Sequence, residues 1–278
     1  MIVLRFAEGR FSKHMVRNLL GLPYRRMQRR PIDSTDMETT MNAGSPDQKN
    51  TLETGRVDIY TGIHKAVRAY LCDTLARVAR LDLDDEHDVA AVVLQVRELL
   101  AFCTDHIAHE DLFVHPAMEA RRPGSTAGTA ADHLHHAQTV AALLQACDAL
   151  AGGTGAERLA AWRRLQRGLA QFTGDNLLHM ECEESANNAV LQSCYSDDEL
   201  VAVHQQILAA IPPVKMAVGM RWMLVGSSPA ERTRLMAGLH ADAPPPAFDA
   251  MLGLARACLD SADWNKLAAS LAPLRMAA

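Results

Sequence analysis

From Val57 onward, apolar residues return every third or fourth position, the period of helices that each hide one face. That period predicts a first helix over about 56–80, with Ile63, Val67, Leu71, Leu75 and Val78 on one stripe. A second starts near Asp85 and carries Val89, Val92, Val96, Leu99 and Cys103 before it ends around RRPGS. A third covers about 129–151 and stops at GGTG, where glycine permits a left-handed cap. A fourth begins near Ala156 and runs through Trp162, Leu165, Leu169 and Phe172 toward Val190. Long amphipathic helices joined by short loops pack most simply as an antiparallel four-helix bundle, which the pattern predicts for residues 56–194.

Outside that stretch the pattern changes. Ser196 with Glu199 and Ser228 with Glu231 fit capping boxes, while IPP and PPP interrupt the chain between helical runs. Residues 195–278 therefore read as four or five short helices, a second subdomain or a cap over the bundle. Residues 1–55 show no period: an arginine-rich opening precedes the polar NAGSPDQKNT, as in a disordered basic extension and linker. The opening suits a targeting presequence, or a start placed too early with translation beginning at Met37 or Met41.

Composition sharpens the fold class. Hydrophobic residues make up 49% and aromatics 5%, with Ala and Leu prominent over β-branched types, which favours an all-α chain. The net charge of -5 conceals a basic first 31 residues, so the remainder is markedly acidic and nucleic acid is not expected as a partner. Six cysteines stand far apart without a CxxC pair, as buried reduced thiols of a cytoplasmic protein would. No apolar run reaches the roughly 18 residues of a membrane span, and no membrane association is expected.

The stripes acquire chemistry when they are extended to DHIAHED. Leu99, Cys103, His106 and Glu110 share one face, so a His-x3-Glu pair points into the core. The fourth helix repeats it: Phe172, Asn176, His179, Glu183 and Val190 lie together. His64 stands one turn before Val67, and the third helix offers His133 and His136 above Val140, Leu143 and Cys147. Any one of these is weak alone, since a lone inward histidine is usually a hydrogen-bonded core residue and the i, i+4 pair also suits a surface ion pair. Together they put histidine on the buried face of every long helix and two carboxylates among them. Buried carboxylates facing one another are strongly unfavourable unless cations neutralise them. A pair of metal ions does so, with carboxylates bridging and imidazoles at terminal positions; imidazole and carboxylate without thiolate or HExxH suit iron better than structural zinc. His109 and His115 flank the site as supporting donors, and His135 falls on a solvated face. His87, His204 and His240 have no partners at ligand spacing and read as exposed or capping.

GIHKAV, DHIAHEDLFVHPAMEAR, ADHLHHAQ and LLHMECEES resemble the hemerythrin and HHE cation-binding family over about residues 57–192. The resemblance implies a non-haem di-iron centre, two Fe2+/Fe3+ ions bridged by carboxylate and by oxo or hydroxo. Its ligands map to His64, to His106 with Glu110, to His133 and His136, and to His179 with Glu183. Two departures stand out. Oxygen-carrying members place their third-helix histidines four apart, where His133 and His136 are three apart; their last carboxylate follows its histidine by five, which points to Glu184 instead of Glu183. A ferritin-like alternative is disfavoured because no Glu-x-x-His occurs.

The expected function is iron and small diatomic ligand binding, O2 or NO, for sensing, storage or protection. The alternative is a di-iron oxidoreductase acting on peroxide or nitric oxide, or an iron donor in iron-centre repair. Neither a DNA-binding helix nor a signalling module accompanies the motifs.

Overall fold

The computed structural model describes residues 55–276. The expected disordered extension over 1–55 falls outside them, apart from Gly55. The described chain is all helical, with no strand among the described residues. Its long helices are α1 (Thr61–Ala79), α2 (Glu86–His109), α3 (Ala127–Gly152) and α4 (Gly155–Cys182). A π-helical turn, Glu110–Val114, carries α2 on into His115–Arg121; another, Glu183–Asn187, carries α4 into Asn188–Cys194. Five shorter helices complete the chain: α5 (Asp197–Ala210), α6 (Pro213–Gly226), α7 (Pro229–Asp242), α8 (Pro245–Cys258) and α9 (Ser261–Met276).

Local chemistry sets the boundaries. Asp85 caps α2 by accepting from the backbone N–H groups of His87 and Asp88, and both predicted capping boxes form, on α5 and α7. The end of α3 differs from expectation. The chain leaves it extended at Gly153, and the positive φ of 49° falls instead on Gly155, the first residue of α4. Gly153 is still constrained, since a Cβ there would lie 2.7 Å from the carbonyl oxygen of Ala149.

The long helices pack in a closed ring, α1 on α2, α2 on α3, α3 on α4 and α4 on α1. The predicted stripes fill the space between them, with Val67, Leu71, Val96, Leu99, Leu165, Leu169 and Phe172 at most 1% exposed. Each such side chain contributes about 1.5–3 kcal/mol through removal from water. Two hydrogen bonds tie α4 to the α1–α2 connection: Trp162 Nε1 donates to the Val78 carbonyl at 2.8 Å, and Arg158 donates to the Leu83 carbonyl at 3.0 Å.

The later helices cover the outer face of α1. Tyr70 stacks on Trp222 of α6 with ring centroids 4.1 Å apart. At Gly226 the backbones come so close that a Cβ would sit 2.5 Å from the Lys65 carbonyl oxygen. Helices α6 to α9 also enclose a core of their own, including Leu224, Met236, Phe248, Met251 and Leu271. A third apolar cluster joins Ile59 and Tyr60 to Val114, Met118 and Leu191 in the two extended helices and to Leu200 and Leu208 of α5.

No single described helix is long and apolar enough to cross a membrane. The cysteines depart from expectation: all six are free thiols, but only Cys103 and Cys147 are buried, and Cys72 is exposed.

Candidate metal centre

The helical period places both His-x3-Glu pairs as predicted, facing each other across the core. Two quartets result, His64, His106, Glu110, Glu183 and Glu110, His133, His179, Glu183; within each, the potential ligand atoms lie within 4.8 Å of one another. Both carboxylates belong to both quartets. Around the first, Nε2 of His64 stands 3.4 Å from Glu183 Oε2 and 3.7 Å from Glu110 Oε1, and His106 Nε2 stands 3.3 Å from Glu110 Oε1. Around the second, His179 Nε2 is 3.3 Å from Glu183 Oε2, and His133 Nε2 is 3.6 Å from Glu110 Oε2.

These distances suit atoms converging on a shared centre. Both oxygens of Glu110, both of Glu183 and Nε2 of His64 and His106 are enclosed without a hydrogen-bond partner. An unsatisfied buried polar atom costs about 1–3 kcal/mol, and a concentration of them in one place is hard to sustain. A di- or trivalent cation in each quartet would satisfy them, and a donor set of imidazole nitrogen and carboxylate oxygen without sulfur fits such an ion. The residues present therefore fit a pair of metal ions.

The far side of each ring is also engaged. His64 Nδ1 lies 3.0 Å from Glu184 Oε1, His133 Nδ1 2.7 Å from Asp111 Oδ1, and His179 Nδ1 3.3 Å from Asp132 Oδ2. A carboxylate at Nδ1 holds the N–H there and turns the Nε2 lone pair inward, the tautomer a metal ligand needs. Glu184 is in turn held by Arg68, which donates to both its oxygens at 2.6 and 3.1 Å.

The pocket's electrostatics call for positive charge. Burial alone would depress the pKa of His64, but Glu110, Glu183 and Glu184 outweigh it and raise it to about 10. Burial, reinforced by Glu183, pushes Glu110 well above the usual carboxylate range. Burial would raise Glu184 as well, yet His64 and Arg68 pull it down to about 2, so it stays ionised. His106 falls well below its usual value through burial and through the neighbouring histidines.

Each π turn begins at the carboxylate of its helix. His115 N–H donates to Glu110 C=O and Asn188 N–H to Glu183 C=O, five residues back instead of four. The extra residue rephases the downstream part of each helix. Val114 is buried where Phe113 is half-buried, and Asn187, Asn188 and Leu191 are buried where Val190 was expected to face inward.

Of the predicted site residues, the structure brings six into the quartets. His136 is buried but outside them, edge-on to His179 with centroids 5.0 Å apart, its Nδ1 unpartnered. Glu184 enters neither quartet. His115 stacks on His133 at 4.9 Å and shares Asp111 with it, lying 3.2 Å from that carboxylate. His135 and His87 are exposed, and the half-buried His240 meets Phe248 edge-on. His204 overturns expectation: its Nδ1 is enclosed and unpartnered.

Sequence reasoning missed Tyr60, which precedes the α1 stripe. It is 1% exposed, its ring lies 5.4 Å from His64, and burial together with Glu183 and Glu110 raises its pKa well above the ordinary phenol value. Its place between Ile59 and Thr61 at a helix start carries no periodic signal. Asp132 and Arg68 were also missed, because each reaches its target from a neighbouring helix.

Fold and site together define a helical protein with paired His/Glu clusters able to hold cations. Residues 56–188 match the model of the family described as Hemerythrin HHE cation binding domain, so this segment of the chain is a hemerythrin-family domain. Comparison with curated proteins returns no match, and comparison with solved structures returns none.

Proposed function

We propose that the chain is a non-haem di-iron protein that binds a small diatomic ligand, O2 or NO, for sensing, storage or protection. In this reading α1 to α4 form an antiparallel four-helix bundle over residues 56–194, and residues 195–278 form a separate helical region against it. The observation that carries it is the unsatisfied donor set: two buried glutamates common to both histidine clusters, their four oxygens without a hydrogen-bond partner. Glu110 and Glu183 would bridge two ions; His64 and His106 would complete one, His133 and His179 the other. Iron so held supplies electrons to a bound ligand. The protein's own part is to hold Nε2 of three histidines inward through Glu184, Asp111 and Asp132, and to keep water from the buried carboxylates.

One observation favours the oxidoreductase alternative as a second reading. His133 contacts Asp111, whose side chain is 50% exposed, and Asp111 also contacts His115. That chain links the cluster to solvent and could deliver the protons that reduction of peroxide or nitric oxide consumes. Reducing the purified, iron-quantified protein without oxygen and then admitting air, with the visible spectrum followed, separates the two. A reversible oxygenated band supports binding, and rapid oxidation with peroxide turnover supports the enzyme. Fewer than two irons per chain after loading would sink both.

A further inference from the structure

Helices α1, α2, α5 and α6 enclose a cavity of about 130 Å3 on the flank of the cation cluster. Its walls are largely apolar, formed by Ile63, Phe102, Ile207, Leu208, Met216 and Met220 among others. His106 and Glu110 also line it, so it reaches one edge of the first quartet. Asp105 and Lys215, paired at 2.7 Å and partly exposed, mark its outer edge.

An apolar cavity of roughly this size, about 150 Å3, stays dry and takes up benzene. This one differs by a single built-in polar feature. His204 lines it with an enclosed Nδ1 that has no hydrogen-bond partner. Burial lowers His204 to about 4, so the ring is neutral near pH 7. A water is a poor occupant here, because it needs about 2–4 polar partners and the walls around His204 are aliphatic. A hydroxyl on an apolar ring is a good one, since it can donate to or accept from Nδ1 and so serves either tautomer.

We propose that this cavity binds a phenol-sized molecule, its ring against Ile207 and Met220, its hydroxyl on Nδ1 of His204, beside His106 and Glu110. The site is built by α5 and α6 as much as by the hemerythrin-family segment, and it does not depend on iron occupying the quartets. An occupant lies against two of the candidate ligands and so governs what reaches them.

The full chain, stripped of metal with a chelator, is titrated with 4-fluorophenol and separately with fluorobenzene, followed by fluorine NMR. The expected result is saturable binding of one molecule per chain, with the phenol about tenfold tighter than fluorobenzene, the worth of about one hydrogen bond. His204→Phe should reduce the phenol to the affinity of fluorobenzene. Gly219→Leu should abolish binding of both, since a Cβ there meets only Phe102 Cε2 at an ordinary 3.7 Å and the longer side chain enters the cavity. Helical circular dichroism and the thermal midpoint check folding; if Gly219→Leu fails to fold, Ile207→Trp takes its place. No saturable binding, equal affinities for the two probes, or binding that survives a folded cavity-filling variant would overturn the proposal. Metal content plays no part in these readouts, so their failure is distinct from failure of the di-iron reading.

Discussion

His133 and His179 meet with their Nε2 atoms 3.1 Å apart, while an aspartate from a neighbouring helix holds the opposite nitrogen of each. Two imidazole lone pairs repel at that distance unless a proton or a cation lies between them. The aspartates are therefore positioning residues for a cation. Asp111→Asn and Asp132→Asn should each lower iron affinity by about 10- to 100-fold, measured by competition with a chromogenic chelator, with little change in the helical signal. Unaltered affinity in both variants would exclude that role.

The two adjacent glutamates separate cleanly by substitution. Glu183 faces both histidine clusters, whereas Glu184 sits behind His64 and pairs with Arg68. Glu183→Ala should eliminate tight binding of both ions, and Glu184→Ala should leave the stoichiometry at two while weakening affinity. Metal analysis after gel filtration decides. The opposite outcome would reassign the bridging role to Glu184.

Loading with metal should release protons. His64 has its pKa raised from its usual 6.5 to about 10 by the surrounding carboxylates, and that of Glu110 is raised from 4.5 by burial and Glu183. Near pH 7 both groups hold a proton that a cation must displace, so affinity rises with pH. The metal-free protein has the reverse dependence. A raised folded-state pKa gives stability that is complete below the unfolded value and is lost as pH climbs through the folded one, here between about 6.5 and 10 for His64. Titration in weak buffer with pH recording, and thermal midpoints across that range, test both signs. Loading that leaves the pH unchanged would contradict them.

Helix α6 should be separable from α1 by a single methyl group. Gly226→Ala places a Cβ against the Lys65 backbone, and Trp222→Ala removes the stack on Tyr70. Loss of a buried aromatic costs about 3–5 kcal/mol. Both variants should lower the thermal midpoint and speed hydrogen exchange in α6. A Gly226→Ala variant with unaltered stability would show that the close approach relaxes freely.

Helix positions and the two inward His-x3-Glu pairs were legible because burial imposes a 3.6-residue period on long elements. The supports behind the rings were not. Asp111 and Asp132 stand on solvent-facing positions, and only the packing of α2, α3 and α4 brings them to a histidine on another helix. His204 was misread for a related reason. It lies on the fourteen-residue α5, too short for its own period to say which neighbour it will face. The cysteines illustrate the limit of composition, since Cys72 sits on the outward side of α1 although its residue type prefers the interior.

The π turns have a consequence for how this molecule tolerates change. Upstream of Glu110 and Glu183 each helix is phased to the cation cluster; downstream each is phased to the packing of Met118 or Leu191 around Tyr60. The spare residue acts as a slip joint between two demands that one uninterrupted α-helix could not meet together. Deleting one residue within 111–114 would return that stretch to ordinary winding and swing the remainder by about 100°. The same deletion would leave His106 and Glu110 on their original face and misplace Met118. The joint thus confines damage in the capping end to that end, and it lets the cluster keep its phase while the surrounding helices vary in length.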